Sequence, residues 1–179
     1  MKRNLILLAC LIVAGVATGV ALVATRGPSA ALNAEKPEAA TLPSAPAWEL
    51  KDVEGKTVKS TDFAGKVVVL DFWATWCGPC RMEIPSFVEL QNQYAREGLV
   101  VVGVSLDDDA SAVVKPFMTK MRINYPVVMG DERMTDVFGG IEGIPTTFII
   151  DRSGRIVTKH VGFAPKDVFE RDIKALLAP

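Results

Sequence analysis

The stretch "KVVVLDFWA", residues 66–74, constrains the chain more than any other. It is a continuous run of β-branched, aliphatic and aromatic residues without period-two alternation, which predicts a strand buried on both faces. Such a strand needs a layer above it and a layer below it. One carboxylate, Asp71, interrupts the run. Directly after it come Cys77 and Cys80, two residues apart in "WCGPC", at the start of "CRMEIPSFVELQNQYARE". In that segment Met82, Phe87, Leu90 and Tyr94 recur at helical spacings, and Gly98 ends it, so a strand–turn–helix unit carries the cysteine pair.

The rest of the C-terminal three-quarters fits the same plan. "WELKDVEGKTVKSTDF" has two short extended segments around an Asp-Val-Glu-Gly-Lys break, like a hairpin. "LVVVGVSLD" (99–107) predicts a second buried strand, "DDASAVVKPFMTKMR" a helix despite Pro116, "YPVVMG" a short strand and "DERMTDVFGG" a short helix. "TTFIIDRSGRIVTKHVG" reads as two strands around a Ser-Gly turn, and "APKDVFERDIKALLAP" as an amphipathic last helix with Pro165 near its first turn. Alternating strands and helices closed by a hairpin and a helix predict an α/β fold: a central mixed β-sheet flanked by helices. The hairpin before Phe63 and the segment around 107–138 are additions to a smaller βαβ…ββα plan.

The N-terminus is of another kind. Lys2 and Arg3 precede a stretch without charge from Asn4 to Thr25. Twenty-odd helical residues span about 30 Å, the thickness of a bilayer's hydrocarbon core. Residues 1–26 therefore predict a membrane anchor, favoured over a cleaved secretory signal because the apolar run exceeds the usual 7–15 residues or so. Cys10 follows too short an apolar stretch for a lipoprotein signal and is read as a small lipid-facing residue. With Lys2 and Arg3 on one side and only Arg26 close on the other, the positive-inside tendency sends the remainder out of the cytoplasm. Residues 27–47 are rich in Ala, Pro, Ser and Glu, cannot offset their ordering entropy, and read as a linker. The folded domain is placed at 48–179. Acidic and basic residues number 21 and 20, so no nucleic-acid surface is indicated.

Two close cysteines can staple a fold, hold a metal or carry electrons. A bridge spanning two intervening residues closes too small a loop to stabilise much. Zinc needs about four ligands, and beyond this pair the chain has only Cys10 and the single His160, the latter read as a surface residue on a strand. Copper(I) accepts two sulfurs with a His or Met, so a copper(I)-binding or metallochaperone module is the alternative function. At a helix start, however, free N–H groups and the helix dipole stabilise a thiolate on Cys77, while Cys80 sits one turn in. Cys77 then attacks a disulfide, and Cys80 resolves the mixed disulfide. Trp76 and Pro79 shape an apolar rim. Burial should raise the pKa of Asp71, making it a candidate proton relay for Cys80; the bland reading is a strand-end carboxylate bonded to the backbone. Glu83 reads either as a tuning group or as a solvated helix carboxylate. Arg81 reads as a surface cation and Pro85 as a helix kink.

"DFWATWCGPCRMEIP" and "GIPTTFIIDRSGRIV" together resemble the two signatures of the thioredoxin superfamily. The resemblance covers nearly all of 48–179 and implies a thioredoxin-like fold in which Pro145 is cis, faces the cysteines, and leaves the backbone of Ile144 to pair with an extended substrate; X-Pro is where cis bonds occur. The anchor, the entry hairpin and the insertion are similar to the membrane-anchored bacterial thiol–disulfide reductases (TlpA/ResA-like redoxins). That resemblance implies a monomeric reductase of exported proteins in the bacterial inner membrane, with Gly78 and Pro79 beside Trp76 in the substrate surface. It implies no cofactor beyond the Cys77–Cys80 disulfide, and a transmembrane thiol-reductase as electron donor. Its candidate pathways are apocytochrome c maturation and copper-site cysteine reduction. Members often carry Asn where Asp71 stands, and other residues between the cysteines. The peroxiredoxin signature Pro-x-x-x-Thr/Ser-x-x-Cys is absent.

Overall fold

The computed structural model describes residues 43–178. The anchor at 1–26 and residues 27–42 of the linker lie outside them; among the described residues no helix is long and apolar enough to cross a membrane.

A two-stranded antiparallel hairpin, β1 (Glu49–Lys51) and β2 (Thr57–Lys59), leads into a 3-10 turn. Then follow β3 (Val67–Trp73), α1 (Gly78–Tyr94), β4 (Leu99–Ser105), α2 (Lys115–Met121), β5 (Val127–Met129), α3 (Glu132–Val137), β6 (Thr146–Ile150), β7 (Ile156–Val161) and α4 (Lys166–Leu177). The five-stranded sheet runs β5-β4-β3-β6-β7. β3 is parallel to β4 and antiparallel to β6, so the sheet is mixed and the fold is thioredoxin-like α/β. Every residue of β3 is buried, as its unbroken apolar run requires.

The two faces of the sheet have separate cores. Val67, Val69, Trp73, Val101 and Ile149 pack under α1 (Ile84, Phe87, Leu90) and α4 (Phe169, Ile173). Leu70, Phe72, Val104 and Phe148 face α3 and the hairpin, through Met134, Phe138 and Leu50. Alternation along β3 thus puts Asp71 on the α1 side, in line with Val69 and Trp73. Helix α1 runs through Pro85, which is exposed, and buries Cys80, Glu83, Ile84, Phe87, Leu90 and Tyr94. Met82, expected on the apolar stripe, is instead 60% exposed, because the stripe passes through Glu83 and Ile84. Pro116 sits in the first turn of α2, after a π-helical turn at Ala110–Val114, where its missing N–H is no loss.

Ordered contacts begin ahead of Trp48. Ser44 bridges Arg155, Ala45 N donates to Gly154 O (2.8 Å) and Ile156 N donates to Pro43 O (2.9 Å). The last residues assigned to the linker from sequence therefore cover backbone groups at the β6–β7 turn that would otherwise lack partners.

Candidate active site

Cys77 ends the short loop after β3 and is the N-cap of α1. Its amide donates to Ala74 O (3.1 Å), closing a tight turn over Ala74–Cys77. That turn is held from the side by a carboxylate the sequence reading passed over. Asp107, buried just past β4, accepts from Thr75 N (2.9 Å), Thr75 Oγ1 (2.7 Å) and Ser105 Oγ (2.9 Å). It lies in "SLDDD", where an acidic run resembles any solvated loop.

Cys77 and Cys80 form a disulfide with Cα atoms 5.3 Å apart. The Cys80 amide donates to Cys77 Sγ (3.2 Å), the same N–H that would stabilise a thiolate after reduction. Both cysteines are buried, at 4% and 1% exposure. The Ile144–Pro145 peptide is cis, and Ile144 O lies 3.6 Å from Cys77 Sγ, a contact rather than a hydrogen bond while the sulfur carries no proton. Trp76 is 69% exposed; Gly78 and Pro79 are also exposed beside it. The structure therefore gathers Trp76, Gly78, Pro79, Ile144 and Pro145 around the Cys77 end of the disulfide.

Two carboxyls lie on the α1 side of the sheet, beneath this surface. Asp71 is 2% exposed and accepts from Thr147 Oγ1 (3.0 Å), a side chain on β6 and not the backbone bond of the bland reading. Burial, reinforced by the charge of Glu83 and opposed by the Thr147 bond, raises its pKa from 3.8 to about 8. Glu83 is 1% exposed, which overturns its reading as a solvated helix carboxylate. Its Oε1 accepts from Ala164 N (2.6 Å), while Oε2 has no hydrogen-bond partner among the described residues. Burial lifts its pKa from 4.5 to about 7, against the pull of the Ala164 bond. Tyr125, buried nearby, has its phenol pushed well up by burial and by both carboxyls. An acid titrating near neutrality can both take and return a proton, which thiol–disulfide exchange at Cys80 requires.

His160, read as a surface residue, is half-buried. Its Nε2 lies 3.0 Å from Asp172 Oδ2 and its ring stands edge-on to Phe169. Among the described residues, no three His, Cys, Asp or Glu side chains stand together as a metal-binding group.

A redox disulfide capping a helix, faced by a cis-proline loop and backed by buried acids, defines a thioredoxin-fold thiol–disulfide oxidoreductase. Comparison with known proteins agrees. The model of the AhpC/TSA family matches residues 43–159. Thiol-disulfide oxidoreductase ResA of Bacillus thuringiensis (strain Al Hakam) is 30% identical over 176 residues, 98% of this chain and 99% of the relative. ResA of Geobacillus thermodenitrificans is 31% identical over 142 residues, covering 79% of this chain and 81% of the relative. A crystal structure of a thiol:disulfide interchange protein from Chlorobium tepidum TLS is 38% identical with a TM-score of 0.72, covering 78% of this chain and 99% of that one. The chain belongs to the AhpC/TSA family, among its ResA-like thiol–disulfide oxidoreductases.

Proposed function

We propose that the protein works mainly as a disulfide reductase of exported proteins, anchored by residues 1–26 in the bacterial inner membrane with its catalytic domain outside the cytoplasm. The observation that carries the assignment of roles is the asymmetry of the disulfide: Cys77 caps α1 and meets the Ile144 carbonyl, whereas Cys80 is one turn further in. Cys77 is the attacking sulfur. A substrate strand pairs with the backbone at Ile144, beside Pro145, and rests on Trp76, Gly78 and Pro79. Cys80 then breaks the mixed disulfide, passing its proton to Asp71, with Glu83 tuning that carboxyl. The substrate leaves as a dithiol, and a transmembrane thiol reductase resupplies the electrons to a monomeric enzyme that needs no other cofactor. Apocytochrome c and copper-site cysteines are the candidate substrate classes, carried over from the resemblance to the membrane-anchored thiol–disulfide reductases.

Redox titration of the protein against glutathione and dithiothreitol buffers tests the direction. A potential toward the thioredoxin value of about −270 mV supports a reductase, and one near the strong-oxidant end of about −120 mV overturns it. In cells, Cys80→Ser should accumulate mixed disulfides with the substrate and Cys77→Ser should not; equal trapping by both overturns the roles.

A further inference from the structure

Asp71 has to exchange its proton with something, yet Asp71, Glu83 and Tyr125 are all buried. The sheet register supplies a way out. Asp71 on β3 lies directly opposite Thr147 on β6, and Thr147 lies directly opposite His160 on β7. Directly opposed residues share a face, with Cβ atoms about 4.5–5.5 Å apart. The three therefore form one row on the α1/α4 side, where His160 meets Phe169 and Asp172 of α4. Thr147 Oγ1 lies 3.0 Å from Asp71 Oδ1: the hydroxyl donates to the ionised carboxylate, and once Asp71 holds a proton the direction of this bond reverses and frees the hydroxyl hydrogen. At the far end of the row the His160 and Asp172 side chains are each 17% exposed, so this end reaches water.

We propose that Thr147, His160 and Asp172 form a proton relay between Asp71 and solvent. This rests on the reading of Asp71 as the group that takes the Cys80 proton. In the resolving step Cys80–SH gives its proton to the Asp71 carboxylate. The Cys80 thiolate attacks Cys77 Sγ, the Cys77–substrate S–S bond breaks, and the substrate departs as a thiolate that is protonated by water. The protonated Asp71 donates to Thr147 Oγ1, and the hydroxyl turns its own hydrogen toward His160. As Asp71 passes its proton to Thr147 Oγ1, that hydrogen moves to His160 Nδ1, across a contact made only in this state. Asp172 makes this possible: by accepting Nε2–H (3.0 Å) it leaves the Nδ1 lone pair open. The resulting imidazolium, paired with Asp172, releases a proton to water. The charged groups around the relay are few. Glu83 and Tyr125 face Asp71. Arg171 Nε holds the second oxygen of Asp172 (3.1 Å). Lys159, next to His160, lies over Phe148 on the opposite face of the sheet.

The test is single-turnover oxidation of the reduced full-length protein by oxidised glutathione. Attack is read from the rate of mixed-disulfide formation in a Cys80→Ser background, and resolution from release of the second glutathione. His160→Gln keeps a donor for Asp172 but cannot relay a proton. A positioned acid–base group contributes about 10²–10⁴-fold, and removing this relay is expected to slow resolution at least about tenfold at neutral pH with attack unchanged. Imidazole should restore the rate of His160→Ala. If His160→Gln resolves at the wild-type rate while Asp71→Asn is slow, the relay is wrong and Asp71 stands. If Asp71→Asn is itself unimpaired, the reading of Asp71 fails and the relay with it. A slow His160→Ala that imidazole does not restore, together with a fast His160→Gln, shows a packing role and overturns the relay.

Discussion

Replacing Asp71 by Asn isolates the cost of keeping a carboxyl in the sheet. In the unfolded chain this group titrates near 3.8; in the fold burial raises it to about 8. Between those values the folded protein holds a proton that the unfolded chain has released, so stability falls as pH rises and is fully present only below the lower one. One unit is worth about 1.36 kcal/mol, so a shift of about four units costs the fold about 5–6 kcal/mol above pH 8 and about 4 kcal/mol at pH 7. Asn keeps an acceptor for Thr147 and has nothing to ionise. Guanidinium unfolding with the disulfide intact, at pH 5 and at pH 7, should show the gap between Asp71→Asn and wild type moving in favour of the variant by about 2–3 kcal/mol, about one proton over two pH units. The comparison across pH removes any constant effect of the amide on packing. A change below about 1 kcal/mol would mean that the Thr147 bond cancels the desolvation and that Asp71 is ionised at neutral pH. Asp71 would then be too weak a base to take the Cys80 proton, and the proton-transfer argument built on its raised pKa would fall.

Glu83→Gln keeps an acceptor for Ala164 N–H but removes the charge that pushes Asp71 up; the same pair of unfolding curves should place the Asp71 transition at lower pH in this variant, and an unchanged or higher one refutes the coupling. Gly103→Ala would put a Cβ 2.7 Å from Trp73 Nε1 and 3.4 Å from Tyr125, a clash between packed rings expected to destabilise by about 1–3 kcal/mol in chemical denaturation. Asp107→Ala strands the Thr75 N–H and hydroxyl beside the active-site turn. It should cost about 1–3 kcal/mol for the unpaired buried group and slow alkylation of reduced Cys77 by iodoacetamide; a wild-type alkylation rate would show that the turn does not need this clamp.

The frame of the fold is legible because each of its elements carries its own signal. The run at Val67–Trp73 is, but for Asp71, apolar on both faces, and three helices and a hairpin do cover it. Gly98, with φ of 103°, stops the 3-10 turn that prolongs α1, as its position in the sequence predicts. The errors fall where local pattern and tertiary packing differ. Met82 has helical spacing but no layer above it. Pro43–Ala47 has the composition of a tether, and its backbone nevertheless completes the edge at the β6–β7 turn.

The site divides along the same line. Cys77, Cys80 and Pro145 announce themselves because thiol pairing and a cis peptide are properties of short motifs. Asp71 shows through because a carboxylate inside a β-branched run has few bland explanations. Glu83 does not: from sequence, a Glu three residues past Cys80 on an amphipathic helix is equally good as a solvated residue, and only the arrival of the Ala164 amide from the loop before α4 makes it a buried acid. Thr147 and His160 are harder still, since their relation to Asp71 exists only in strand register, which no single segment encodes. What register adds is chemical. A buried acid on its own is a strained residue; the same acid in line with a hydroxyl, an imidazole and a half-buried carboxylate has neighbours that could carry its proton away. Sequence motifs therefore locate where electrons move in this protein, and the sheet determines where the accompanying protons can go.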